Sequence, residues 1–329
     1  MSILRPEFLW WRKKSERTTS IAIGAAFEMV TFSLVIPTCN RSESLRRLLA
    51  SIGRMAIPHA AQVEVIVIDN GSVDGTAALL AEKGIGPCNV CFTALTEPRK
   101  GKASALNRGL AATKGDFFLV LDDDVVVDPD LVIRHLDGYR GGPFDALQGR
   151  VLPGVDSDGK PADPRRLREY NIPVIDYGNE YREIRGLTGT NMSFKREVFE
   201  KVGFFDPRLG PGAAGFSEDT EYSMRIRKAG FKIGYTPHAV VYHELDPRRY
   251  GSPYNRDVEY KKGVSRSIYR QDSILFRVLP DLLANCLRYC IYKMLRLTQK
   301  AYKTEGRIMK SWGYLMGKIQ RRRKSNSTV

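Results

Sequence analysis

Residues 116–130 read DFFLVLDDDVVVDPD: an apolar run from Phe117 to Leu121 ends in Asp122, Asp123 and Asp124, and apolar residues resume at Val125. Such a run, rich in large side chains and preceded by Gly115, is the pattern of a strand buried on both faces of a sheet. The acids then stand at its carboxyl end. In open α/β sheets that end faces the ligand crevice, and three carboxylates crowded there repel one another unless a cation or a row of donors compensates them. A divalent metal is the economical compensation.

The flanking sequence supplies the rest of such a sheet. A strand at Thr31 to Pro37 is followed by a turn around Thr38, Cys39, Asn40 and Arg41, then by a helix with Leu45, Leu48, Leu49 and Ile52 at helical spacing. A second strand, Val63 to Ile68, stops at the turn cluster Asp69-Asn70-Gly71-Ser72, after which Asp74 is read as a helix cap. Val90 to Leu95 is a third, weaker strand, and Lys100-Gly101-Lys102 leads into a helix carrying Ala103, Leu106 and Leu110. Strand and helix alternate, which predicts a mostly parallel sheet with helices on its faces. Later strands are expected at Ala146 to Val151, Leu187 to Phe194 and Val240 to Tyr242, the last with His243 at its exit. A glycine-rich stretch between Leu209 and Phe216 argues for a mobile lid or a close backbone approach to ligand. Ser217 is expected to cap the next helix, which Tyr222, Ile226 and Ala229 line and Gly230 ends.

The net charge of +15 is not spread over the 329 residues: positions 261–329 hold 17 Lys and Arg but 3 Asp and Glu, so the body is nearly neutral. From Asp281 an apolar stripe of Leu282, Leu283, Cys286, Leu287, Cys290, Ile291, Met294 and Leu295 alternates with Arg288, Lys293, Arg296, Lys300 and Lys303, a basic amphipathic helix. A shorter helix with Ile308, Trp312, Leu315 and Ile319 follows, and Arg321 to Lys324 ends the ordered part. Five cysteines in a chain of this length fit a reduced, cytosolic compartment, and the lone Cys88-to-Cys91 pair has no second pair for zinc. No export signal or membrane-spanning run is expected, Ile21 to Phe27 being too short.

In joint order, VIPTCNR, VIDNGSVDGT, KGKASALNRGL, LDDDV, GTNMSF, SEDTEYSMRIRKAGF and VVYH resemble glycosyltransferase family 2 over roughly residues 32–245. The resemblance implies a GT-A fold and transfer of a sugar from a nucleoside-diphosphate donor. It makes Asp122 and Asp124 the outer acids of a DxD motif, with Asp124 the direct ligand of a manganese or magnesium ion, and His243 the histidine that joins it. Asp122 and Asp123 also count toward the nucleotide. Strand alternation would turn Asp123 to the opposite face, where it would orient a neighbour or a ribose hydroxyl. By the same resemblance Asp219 is the general base and Glu218 contacts acceptor hydroxyls or sets the loop. A place at a helix start favours the ionised base. Asp69 is assigned to the nucleobase, Thr38 and Arg41 to the same pocket, Lys102 to the diphosphate, and Thr190 and Asn191 to the border of the donor sugar or acceptor.

The fold class is therefore α/β: a GT-A (Rossmann-like), mostly parallel sheet flanked by helices, with a C-terminal basic amphipathic extension. The expected organisation is an N-terminal extension (1–30), a nucleotide-sugar half (31–125), an acceptor half (126–260) and the basic tail (261–329). The family's processive members carry a Q-x-x-R-W signature and membrane spans that this sequence lacks, so an inverting, single-addition enzyme is expected. A nucleotidyltransferase would be expected to place a Gly-rich phosphate loop after its first strand, and VIPTCNR has no glycine. The tail interleaves charge with an apolar stripe, which suits an anionic membrane surface better than nucleic acid, and leaves homo-oligomerisation open. The expected setting is the cytoplasmic face of a membrane, with a glycan or lipid-linked acceptor.

Overall fold

The computed structural model describes residues 29–82, 90–156, 174–246, 249 and 251–326; most of the N-terminal extension, Cys88 and residues 157–173 lie outside them. In chain order the strands are β1 (Val30–Thr38), β2 (Ala61–Asp69), β3 (Cys91–Thr96), β4 (Phe117–Leu121), β5 (Val125–Val127), β6 (Ala146–Asp156), β7 (Arg182–Glu183), β8 (Asn191–Lys195) and β9 (Ile233–Leu245). The helices are α1 (Ser42–Ile52), α2 (Thr76–Ala81), α3 (Lys102–Ala112), α4 (Leu131–Arg140), α5 (Arg196–Val202), α6 (Glu218–Lys228), α7 (Ser252–Tyr269), α8 (Leu279–Met294) and α9 (Thr298–Asn326), with a π turn at Ile274–Val278 before α8.

One sheet runs β3-β2-β1-β4-β8-β6-β9-β5, with β7 paired to β9. β3, β2, β1 and β4 are mutually parallel, whereas β8 is antiparallel to both β4 and β6 and β5 antiparallel to β9, so the second half is mixed. The central strands β1, β2 and β4 bury both faces, as their unbroken apolar runs require. Phe32, Leu34 and Ile36 of β1 pack with Leu45, Leu48, Leu49 and Ile52 of α1 and with Leu131 and Val132 of α4. Val35, one residue out of phase, packs on the other face with Leu106 and Leu110 of α3 and Tyr222 and Ile226 of α6. Each fully buried Leu or Ile contributes about 1.5–3 kcal/mol by leaving water.

Several boundaries differ from the sequence expectation. β4 ends at Leu121, where the apolar run ends, but the triple aspartate that follows occupies a turn before β5, so the strand alternation expected for Asp123 does not reach it. The strand expected from Leu187 begins at Asn191, and the one expected at Val240 to Tyr242 is the 13-residue β9. Ser217 precedes α6 in a left-handed conformation (φ 76°) and makes no side-chain cap, because Asp219 instead accepts from the Thr220 amide at 2.6 Å. The C-terminal lengths are reversed: α8 has 16 residues, breaks at Leu295 to Leu297 with Arg296 at φ 55°, and the following α9 has 29 residues. Lys300 and Lys303 thus belong to α9.

α9 lies against α7, and two glycines set that approach. A Cβ on Gly263 would stand 2.1 Å from the Lys310 carbonyl oxygen, and one on Gly313 would stand 2.1 Å from that of Tyr260. Backbones this close exclude any larger residue at either position. Ser265 of α7 also holds the glycine-rich loop, accepting from the Phe216 amide at 3.2 Å and donating to the Ala214 carbonyl at 3.1 Å. The extension is thereby tied to the body.

Candidate active site

The parallel register sets Thr38 beside Asp69 and Val35 beside Val120, so the carboxyl ends of β1, β2 and β4 open at one level. Thr38 donates from Oγ1 to Asp123 Oδ2 at 2.7 Å, and Arg41 Nη1 lies 3.4 Å from Asp123 Oδ1 while also pairing with Asp124. Asp123 therefore faces the same crevice as its neighbours. The alternation expected of it fails because it sits in a turn, where the two-residue period of a strand no longer applies. Burial pushes its carboxyl up to about 7, with Arg41 opposing and Asp124 reinforcing the rise.

Asp124 is buried, and Arg249 Nη2 reaches its Oδ2 at 3.2 Å. His243, opposite Val125 in the β5–β9 ladder, donates from Nδ1 to the Glu244 carbonyl at 2.6 Å. That bond leaves the Nε2 lone pair free to ligate, 3.4 Å from Asp124 Oδ1. Asp122, Asp124 and His243 offer ligand atoms within 4.8 Å of one another, the grouping with metal-holding geometry among the described residues. Carboxylate oxygens with one imidazole nitrogen suit manganese or magnesium. The residues present fit such an ion.

Lys102, the first residue of α3, joins the two acidic groups of the site. Its ammonium pairs with Asp122 and lies 3.6 Å from Glu218 Oε1. Burial alone would lower its pKa, but Asp122 and Glu218 outweigh burial and raise it. In return Asp122, which burial would raise, is held down by Lys102, with Thr190 Oγ1 donating at 2.9 Å. Glu218 goes the other way: burial raises its carboxyl, and Lys102 only partly opposes this. Asp219 is also raised, against the ionised form expected from its place at a helix start, because burial outweighs the Thr220 (2.6 Å) and Gly189 (3.4 Å) amides that donate to its two oxygens. Asp69 is buried next to Thr38 and accepts from the Ser72 amide at 2.9 Å. Asp74 accepts from the Ser42 amide at 3.1 Å, so its cap serves the start of α1 as well as Thr76.

A cavity of about 460 Å³ adjoins Asp219, lined by Thr188, Phe216, Thr220, Arg249, Tyr254 and Lys262, with Tyr269 and Lys310 completing it. Sequence reasoning missed most of this wall. Tyr254, Val258 and Lys262 recur every four residues along α7, a signal that one face of a helix lines something, but it falls where the charge balance changes. In the sequence Asn70 is part of a turn cluster; in the fold it donates to the carbonyls of Glu97 and Arg99 at 2.8 Å each and accepts from the Gly101 amide at 2.8 Å, which holds the loop carrying Lys102. Asn191 does not border the site. It is fully buried, bonded to His135 Nε2 at 2.9 Å and to the Ala239 carbonyl at 3.0 Å, because it opens β8 in the middle of the sheet. The glycine-rich loop is knit by its own amides, Gly215 to Gly210 at 2.8 Å and Ala213 to Gly210 at 3.1 Å, and Gly210 approaches the Glu218 carboxyl closely.

The model of the family described as glycosyl transferase family 2 matches residues 33–203. The chain belongs to glycosyl transferase family 2. The family 2 chain is 26% identical over 245 residues to a probable glycosyltransferase, YdaM, of Bacillus subtilis, covering 72% of this chain and 56% of that protein. It is 25% identical over 236 residues to a poly-beta-1,6-N-acetyl-D-glucosamine synthase of Staphylococcus epidermidis, covering 70% and 54%. It thus spans about half the length of these relatives. Among solved structures, a mannosyltransferase from Pyrobaculum calidifontis in complex with GDP-Man and Mn2+ covers 91% of both chains at a TM-score of 0.57 and 17% identity. GalNAc-T7 with UDP, GalNAc and Mn2+ covers 72% of this chain and 48% of that one at a TM-score of 0.51 and 20% identity. The likeness shows a shared GT-A fold.

Proposed function

We propose that the protein is a metal-dependent, inverting, single-addition glycosyltransferase that moves one sugar from a nucleoside-diphosphate donor to a hydroxyl of a glycan or lipid-linked acceptor. The observation that carries this reading is Lys102, whose ammonium contacts Asp122 on the nucleotide side and Glu218 on the acceptor side, so the two acidic groups share one crevice. Residues 31–125 supply the donor half: Thr38, Arg41, Asp69 and Asp123 receive the nucleoside, and Lys102 the diphosphate. Residues 126–260 supply the acceptor half. Asp122, Asp124 and His243 would hold manganese or magnesium, which when bound would neutralise charge on the diphosphate leaving group.

Asp219 takes the proton of the acceptor hydroxyl. That oxygen bonds to the anomeric carbon from the face opposite the diphosphate, the glycosidic C–O bond breaks, its electron pair leaves with the nucleoside diphosphate, and the configuration inverts. Two amide donors fix the Asp219 oxygens, which is the preorganisation a base needs. Glu218 sets the loop beside the acceptor. The test is Asp219→Asn: transfer is expected to fall by roughly a thousandfold while calorimetry finds donor affinity unchanged. Retained turnover removes Asp219 as the base.

A further inference from the structure

Glu244 follows His243 in β9 and is a partly buried acid that no step above uses. Its main chain touches two members of the metal grouping. The Glu244 amide donates to the Asp124 carbonyl at 2.9 Å, and the Glu244 carbonyl accepts from His243 Nδ1 at 2.6 Å. The place of this one residue therefore fixes both the backbone of Asp124 and the ring of His243, whose Nε2 lies 3.4 Å from Asp124 Oδ1. The β5–β9 ladder pairs only Val125, Val126 and Val127 with His243, Tyr242 and Val241, and Asp124 and Glu244 lie just past its last rung. The end of so short a ladder frays unless something else holds it.

The Glu244 side chain supplies that hold. Its Oε2 accepts from Ser44 Oγ at 2.8 Å and its Oε1 from Arg47 Nε at 2.6 Å, and Arg47 Nη2 also donates to Ser44 Oγ at 3.3 Å. Both carboxylate oxygens are thus engaged by residues one turn apart on α1. That helix is itself seated by Leu45, Leu48 and Leu49 in the core that holds Val125 and Val127, and Arg41, just before it, pairs with Asp124. One helix therefore holds the metal grouping twice, at the Asp124 side chain through Arg41 and at its backbone through Glu244. An ion pair with an arginine as exposed as Arg47, at 43%, adds little to global stability, so its effect belongs to the site and not to the fold.

We propose that Glu244 is a positioning residue for the metal site, clamped to α1 by Ser44 and Arg47 so that His243 Nε2 and the Asp124 carboxylate stand where one divalent ion can take both. The proposal rests on the metal-dependent reading, and its test reads the ion without turnover. Mn2+ is titrated into the full chain by calorimetry, alone and with UDP, GDP or dTDP, and bound ion is counted by electron paramagnetic resonance. Asp124→Asn should lose the signal, which assigns it to this site. Glu244→Ala should weaken Mn2+ about tenfold or more, and Ser44→Ala with Arg47→Ala should do the same. Combining all three substitutions should cost no more than either alone, because they break one clamp. Glu244→Gln, whose side-chain oxygen still accepts from Arg47, should restore binding, and the urea midpoint should stay put throughout. Unchanged Mn2+ affinity in Glu244→Ala overturns the positioning role and leaves the metal reading standing, whereas a wild-type chain that takes up no Mn2+ under any of these conditions removes both. Full affinity in the Ser44 and Arg47 pair overturns the clamp to α1, and weakening that follows a lowered urea midpoint makes Glu244 a residue of the fold alone.

Discussion

Cations in the crevice and cations in the C-terminal helices live under opposite electrostatics. Arg41, Lys102 and Arg249 each contact an aspartate of the triple run, and burial of Arg41 and Lys102 is outweighed by those acids, which raise both pKa values. Lys310, Lys318 and Arg321 are lowered, because burial is the larger influence and neighbouring cations add to it. The first group offsets a buried negative charge; the second presents an uncompensated positive one. In the crevice, then, removing a cation exposes an acid, whereas at Lys310, Lys318 or Arg321 it relieves repulsion.

The largest effect should come from the acid side of the crevice. Asp124→Asn removes the carboxylate shared by Arg41, Arg249 and the metal grouping, and should lower turnover by roughly a thousandfold and abolish the dependence on added manganese; an unaltered metal titration would separate Asp124 from the ion. Next is Lys102→Met, which leaves Asp122 and Glu218 buried without their cation and should cost roughly 3–5 kcal/mol in urea unfolding. A third effect lies in the core and is set by pH. His135 is fully buried between Asn191 and Ser193, and burial lowers its pKa from 6.5 to about 4. Its neutral form belongs to the fold, so its stability is complete above pH 6.5 and lost as pH falls toward about 4, by roughly 3 kcal/mol in all. His135→Gln should flatten that part of the stability profile. Smallest, and of opposite meaning, is Arg307→Gln: with no carboxylate left behind, stability should stay within about 0.5 kcal/mol. A loss as large as that at Lys102 would show that the helices carry their charge as the crevice does.

What could be read in advance was local in origin. The apolar runs of β1, β2 and β4 and the helical spacing of Leu45, Leu48, Leu49 and Ile52 announce themselves within a few residues, because burial on a sheet or a helix face imposes its period on the sequence. The misreadings share a cause as well. Asp123 obeyed turn geometry once β4 stopped at Leu121, and Asn191 answered to His135, 56 positions earlier in the chain. Neither could be settled by neighbours in sequence.

The sequence by itself determined the parallel strand ends, the acids that follow them, and the motif order that marks the family. Tertiary structure alone decided that Lys102 bridges Asp122 to Glu218 and that α7 and α9 wall the cavity beside Asp219. Periodicity reports which residues leave water, but a charge pair spanning 116 positions, from Lys102 to Glu218, is fixed by how the sheet and helices pack.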